Sequence, residues 1–465
     1  MERNEEFVKN TAILFLGKFS AQIIAFLFLP LYTYFLESKD FGYVDLLQTY
    51  ITLLVPIITL RIDSAVFRFL VDCRNNEEKK KKNISNIIYI LFFSFAIVLV
   101  VSVIIAFVFN FKYKYEIIFN IIVLMISNVL IQVLRGLGNN RGYACASIII
   151  ALSTFIINTL LILQFNYGAN SILISSSLAN IICIIYVLLS SKIYKYIDLD
   201  LINKKTSLEI LEYSVPMIPN ALSWWVINVS DRTIISVFLG TALNGIYTVS
   251  CKFSNVINSV FLVVNMSWQE NASLHLNDKD RSLYFSNIIN KIMTLFFFVS
   301  SWLVVVLPLV YDVVIGGEYR TSYIYVPLLL YANIVNVLSG LLGSIYVALK
   351  KTKQIAYTTF ISAIVNLFVD LALIKFIGIW AAVISTLVSY IAICVYRYVD
   401  CKKYINLKLD FKKYFTLSII FISFSVIYFY NTIAASVAGL LLMCVLTFVI
   451  YKKDIKSGLK YIIKK

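Results

Sequence analysis

Apolar runs of about twenty residues recur along this chain from one end to the other, each long enough as a helix to cross a hydrocarbon core of roughly 30 Å. Fourteen are read, near 11–36, 43–70, 86–110, 117–134, 143–165, 170–191, 212–239, 246–268, 286–311, 323–349, 354–374, 378–398, 412–430 and 432–451. The count falls to twelve or thirteen if the C-terminal pair is misread. Hydrophobic residues make up 60% of the 465, which excludes the soluble multidomain chain such a length would otherwise suggest. The fold class expected is an all-α integral membrane protein.

A second pattern divides the spans. Phe35-Leu36 through Gly42-Tyr43 returns as Phe238-Leu239 through Gly245-Ile246-Tyr247, with the same spacing from Phe-Leu to Gly. Ser85-Asn86-Ile87-Ile88 matches Ser286-Asn287-Ile288-Ile289, and Ile181 and Tyr186 match Ile391 and Tyr396. The repeat predicts two parallel six-helix lobes, at 1–200 and 201–400, joined by a polar linker with Tyr194-Lys195-Tyr196 and Lys204-Lys205. Residues 401–465 form an extra helix pair and a basic tail. Repeats of this kind build a central site that faces the two sides of a membrane alternately.

Basic residues set the orientation. With the N-terminus inside, cytoplasmic segments hold 30 of the 41 lysines and arginines, Arg397 counted among them. The outer connectors hold Lys39, Lys112, Lys114, Arg320 and Lys375. Both ends are therefore expected inside a cytoplasmic membrane, and heavy use of Ile, Asn, Lys, Tyr and Phe points to a bacterial one. The net charge of +16 is mostly this topology. No soluble basic face exists for nucleic acid, and Lys79–Lys82 read as a stop-transfer and anionic-lipid contact. The seven cysteines are scattered without disulfide or metal spacing. No cofactor or metal is expected.

Ionisable groups inside spans are costly and mark function by default. Arg61 and Arg68 stand two turns apart on one face of span two, with Asp63 elsewhere on that helix. Arg61 is the deeper and is expected in a wet cavity, whereas Arg68 either joins it there as a substrate-binding charge or, being near the cytoplasm, snorkels. In span seven Asp231 and Arg232 are about 100° apart and need partners from other helices. Asp231 either pairs with Lys252 of span eight or orients Arg232 and Lys252 in the cavity. Lys18 and Lys291 read as snorkelling. Asp370, the deep carboxylate of span eleven, is a proton or sodium coupling candidate or a buried neutral acid. The excess of deep basic groups favours an anionic substrate, for which guanidinium groups suit phosphate.

Pro216 and Pro219 remove two backbone donors and bend span seven, as a fixed kink or a hinge. Trp224 and Trp225, with Tyr213 nearby, either stack on sugar faces or pack on neighbours. His275 reads as solvated beside Asp278. Gly136–Gly142 follows a helix and lacks the lysine-serine ending of a nucleotide loop, so it reads as a tight turn.

The order Tyr213-Ser214-Val215-Pro216-Met217-Ile218-Pro219, Ser230-Asp231-Arg232, Phe238-Leu239-Gly240 and Gly245-Ile246-Tyr247 resembles the polysaccharide-biosynthesis flippases. These are the O-antigen and capsule repeat-unit exporters of the multidrug/oligosaccharidyl-lipid/polysaccharide (MATE-like) superfamily. Ala348 to Lys353, Ile364-Val365-Asn366 and Gly378-Ile379-Trp380-Ala381-Ala382 carry the likeness onward, so that it covers about 1–400. The resemblance implies movement of an undecaprenyl-pyrophosphate-linked oligosaccharide from inner to outer leaflet by alternating access. It implies cavity roles for Arg61, Asp231, Arg232 and Lys252, and contact with membrane lipid and the polymerase machinery. The C-terminal pair resembles longer lipid-flippase branches, which leaves capsule repeat, teichoic-type polymer and peptidoglycan precursor open. A cation-coupled multidrug exporter would share the repeat but should carry an acidic cavity. A membrane glycosyltransferase would need longer outer loops, so an enzyme is not expected.

Overall fold

The computed structural model describes residues 24, 26–108, 110–349 and 351–463; Lys18 lies outside them. Among the described residues the chain is helical, without strands. It divides into two compact units, Met1–Gly245 and Ile246–Lys465.

The first unit holds α1 (Phe26–Phe35), α2 (Ser38–Ile58), α3 (Ile62–Val71), α4 (Glu77–Val108), α5 (Lys114–Gly136), α6 (Asn140–Leu163), α7 (Asn170–Ser191), α8 (Lys204–Ser214) and α9 (Ile218–Phe238). It closes with the first turn of α10 (Thr241–Leu274). The second unit holds the rest of α10, α11 (Arg281–Val314), α12 (Val326–Ala348), α13 (Thr352–Ile377), α14 (Trp380–Cys401), α15 (Phe411–Tyr430) and α16 (Ile433–Ile463). Eleven described helices are long and apolar enough to cross a membrane. Of the other segments read as spans, Phe26–Phe35 and Ile433–Phe448 are shorter apolar stretches, and α9 is interrupted by polar residues.

In lipid the helices gain little from hiding apolar surface from one another, so small residues and interhelical hydrogen bonds hold them. Asn120 of α5 donates to the Leu173 carbonyl (3.1 Å) and to Ser177 Oγ (2.9 Å) of α7. Ala381, Ala382, Ser385 and Ser389 give α14 a narrow buried face. Across it Ser362 of α13 donates to the Ser389 carbonyl at 2.9 Å.

The repeated Ser-Asn motif has a definite job in each unit. Ser85 accepts the N–H of Asp198 and Ser286 accepts that of Lys408, both residues of the connector after the last helix of their half. Asn86 donates to Leu201 O and accepts from Asn203 N. Asn290 makes the same pair of bonds with Lys408 O and Asp410 N. In the second half the asparagine therefore sits one turn beyond the aligned Asn287. Asn86 also accepts from Ser207 Oγ at 2.8 Å. Asn86→Ala is expected to cost about 1–3 kcal/mol at roughly 1 kcal/mol per bond. Thermal unfolding in detergent and faster proteolysis between Lys195 and Lys205 would register it.

Two sequence expectations change. Arg397, counted with the cytoplasmic residues, is 2% exposed inside α14. Its guanidinium reaches Thr358 Oγ1, Thr359 Oγ1 and the Ser339 carbonyl, so it ties α12, α13 and α14 together. Gly343 leaves it the room, since a Cβ there would lie 2.6 Å from Nη1. Span seven, read from 212, starts instead at Ile218. Tyr213 belongs to the separate polar helix α8, which a 3₁₀ turn at Val215–Met217 joins to α9. Gly136–Gly142 is a tight turn, with Gly138 at φ 87° and Asn139 capping α6 through the Gly142 N–H.

Candidate functional site

Span two is not one helix. Pro56 lacks an N–H, and its ring crowds the carbonyl one turn back. Three residues later the helix closes as Schellman motifs do, with Arg61 N–H on Pro56 O and Leu60 N–H on Ile57 O. That closure needs a left-handed residue, usually glycine. Here Leu60 (φ 50°) and Arg61 (φ 55°) both take the conformation, at about 1–3 kcal/mol each. Irregular backbone at membrane depth is tolerated where protein or a wet cavity surrounds it. The break borders a cavity of about 210 Å³ lined by Thr52, Pro56, Thr59, Arg61, Asp63 and Asn128, among others.

The break also corrects the reading of the two arginines. They do not share a face of one continuous helix, and Asp63 is not remote from Arg61. Arg61 Nη2 donates to Ser64 Oγ at 2.7 Å and Nη1 lies 3.4 Å from Asp63. Arg68 pairs with Asp72 at 2.8 Å with both side chains more than half exposed.

Arg232 has a partner that sequence reasoning missed. It binds Asp45 of α2 at 3.0 Å, the two side chains 18% and 7% exposed. Four residues along α2, the Thr49 carbonyl accepts from Trp225 Nε1 at 3.0 Å. Asp45, Thr49, Thr52, Pro56 and Thr59 recur at three- and four-residue steps, so one face of α2 carries a polar stripe from the ion pair to the Arg61 cavity. The stripe runs about 20 Å at the helical rise. The signal was available: a carboxylate in Val44-Asp45-Leu46-Leu47 meets the same rule that singled out Asp231. Removing either member of this pair is expected to destabilise the protein by about 3–5 kcal/mol, and removing both by clearly less, because a lone buried charge is the costly state. A double-mutant cycle on Asp45→Ala and Arg232→Ala, read by thermal unfolding, measures the difference.

The remaining candidates belong to several helices. Asp231 is 2% exposed on α9 and Asp370 fully buried on α13. Lys291 is exposed on α11. Trp224 is exposed while Trp225 turns inward, so the two do not form one stacking surface. Tyr213 meets Phe69 edge-on, ring centres 6.0 Å apart. Pro216 lies in the 3₁₀ turn and Pro219 in the first turn of α9, where a missing N–H costs nothing. They mark a junction between helices. On the connector between α4 and α5 Lys112 binds Asp40 at 3.0 Å. Its hydrogen bond to Tyr113 and then the Asp40 carboxylate hold its ammonium above the usual lysine range.

In the second unit, Lys252 on α10 is followed by Asn255 and Asn258. Asn258 donates to Asn255 Oδ1 (3.2 Å) and Asn333 Oδ1 (3.1 Å) and accepts from Asn336 Nδ2 (3.3 Å). Asparagines at three-residue steps in two apolar runs were legible but passed over. A carboxamide ladder of this kind can exchange hydrogen bonds with hydroxyl groups.

The helical bundle has a fold seen in multi-pass membrane transporters of known structure. The chain belongs to the polysaccharide biosynthesis protein family, whose sequence profile matches residues 7–268. A comparison with curated proteins finds no match. Among solved structures the chain is similar to the lipid II flippase MurJ in an inward closed conformation, at TM-score 0.73 and 14% identity over 96% of this chain and 100% of that one. It is similar to an inward-facing MATE-family multidrug transporter of the MOP superfamily, at 0.66 and 12% over 84% and 98%. A Vibrio cholerae MATE transporter follows at 0.58 and 14% over 86% and 96%. At these identities the shared property is the fold.

Proposed function

We propose that the protein carries an undecaprenyl-pyrophosphate-linked oligosaccharide repeat unit from the inner to the outer leaflet of a bacterial cytoplasmic membrane, by alternating access. The observation that carries this reading is the strained break at Leu60–Arg61, which sets a guanidinium on a cavity wall at mid-span. Discontinuous helices in transporters serve ligand sites in this way, and a guanidinium fork suits a diphosphate. The polar stripe on α2 links that arginine to Arg232. The asparagine ladder beyond Lys252 offers neutral hydrogen bonds of the kind sugar hydroxyls take. One structural neighbour is a lipid II flippase. Both termini face the cytoplasm in this reading, and Asp370 is the residue to test for coupling to a proton or sodium gradient. The polymerase machinery is the partner that would take the delivered unit.

The test is the fate of lipid-linked oligosaccharide in cells lacking the protein, each leaflet probed separately. Finished units accumulating on the cytoplasmic leaflet are the expected result and would identify the sugar. Normal outer-leaflet delivery, with lost resistance to cationic dyes, would make it a drug exporter.

A further inference from the structure

The start of α2 meets the start of α10 through a glycine from each. A Cβ on Gly42 would fall on the Thr241 carbonyl oxygen, and a Cβ on Gly245 would fall on the Ser38 carbonyl oxygen. Thr241 and Gly245 stand at the same offset from Ser38 and Gly42 along the chain, so the contact is reciprocal, as at a two-fold interface. Asn244 Nδ2 donates to the Gly42 carbonyl at 2.8 Å. By the basic-residue bias this clasp lies at the outer end of the spans. Backbone packed on backbone is specific in shape but contributes little attraction beyond weak C–H···O contacts. The Asn244 bond adds only about 1 kcal/mol, so a charged pair beside the clasp can decide whether it holds.

One turn below the clasp is the pair of Asp45 and Arg232. We infer that this pair is a latch on the glycine clasp, and that Asp45 occupies Arg232 in the place of the cargo's anion. The inference rests on the proposed anionic cargo. While Asp45 neutralises Arg232, α9 stays drawn to α2 and the clasp above is shut. A diphosphate moving along the polar face of α2 from the Arg61 cavity brings more negative charge than one carboxylate and matches the guanidinium fork. Once it takes Arg232, the ion pair between α2 and α9 is gone, the Trp225–Thr49 hydrogen bond alone is too weak to hold them, and the outer ends part. Asp45 is thus a positioning residue that couples the presence of cargo to opening. The cargo itself supplies the charge that breaks the closed state, so an empty transporter stays shut.

The test uses the full-length protein in detergent with its native cysteines replaced by serine. Cysteines at Ser38 and Thr241 report the clasp through a short thiol-reactive cross-linker. Inorganic pyrophosphate is expected to lower the cross-linking yield several-fold, with sodium chloride at equal ionic strength inert. Farnesyl diphosphate forms a second arm. An effect of both ligands assigns recognition to the diphosphate alone, and an effect confined to the prenyl form assigns it to a lipid headgroup. Asp45→Asn should show the low yield without any ligand. The exchange Asp45→Arg with Arg232→Asp should restore the yield and abolish the response, which guards against a variant that merely misfolds. Unchanged cross-linking in Asp45→Asn overturns the latch, and so does indifference to both diphosphates. Because the readout is the clasp and not export, a responsive latch in a protein whose deletion leaves lipid-linked sugar delivery normal would refute the proposed function alone.

Discussion

On the proposed function, Arg61→Ala is expected to lower delivery of the lipid-linked sugar to the outer leaflet by about tenfold or more, the loss of roughly 1.5–3 kcal/mol from one charged hydrogen-bonding group. Protein in the membrane should stay at its normal level. The guanidinium stands on a cavity wall with Ser64 and Asp63 as its contacts, and neither reaches another helix. Its removal therefore breaks no tie between spans. Arg61→Gly suits the left-handed backbone better than alanine does, so an equal loss there assigns the effect to the side chain. Leu60→Gly, which relieves the neighbouring strain and keeps the guanidinium, should preserve delivery. Arg68→Ala serves as the control, since its exposed pair with Asp72 is worth about 1 kcal/mol at most. If Arg61→Ala and Arg61→Gly both deliver at wild-type rates, the cavity is not where the anion binds.

Gly42→Val is expected to hold the starts of α2 and α10 apart. The atom its side chain would strike is the Thr241 carbonyl oxygen, part of a helix backbone that has no rotamer to change. Overpacking in a closed contact costs about 1–3 kcal/mol even where side chains yield, so the clasp opens instead. Gly245→Val should act alike through Ser38, because the contact is reciprocal. A membrane-impermeant maleimide added from outside should label a cysteine at Thr52 about tenfold faster in either variant, the ratio that about 1.4 kcal/mol of lost closure produces. Export should fall with it. Gly138→Ala is the contrasting case, a turn glycine at φ 87° whose change strains only its own turn.

Much of this protein was legible before any coordinates. The length of the apolar runs dictates helices long enough to cross a membrane. Arg61 and Arg232 stood out because a guanidinium in hydrocarbon is expensive wherever it points. Less visible was the company each charge keeps. Asp45 and Arg232 are far apart in sequence, and no local pattern says that α2 and α9 lie side by side. Asn86 and Asn290 take the same role from positions that do not align.

Periodicity also assumes an unbroken helix, and span two is broken. Pro56 hinted at it, but Leu60 and Arg61 are ordinary residues in a left-handed backbone that only surrounding structure can impose. The class of protein follows from the chain alone, because apolar runs of that length are stable only across a membrane. Tertiary structure decided that Arg61 faces a cavity, that Asp45 holds Arg232 and that glycine meets glycine. Those depend on which surfaces fit, and fit is a property of assembled helices rather than of any one of them.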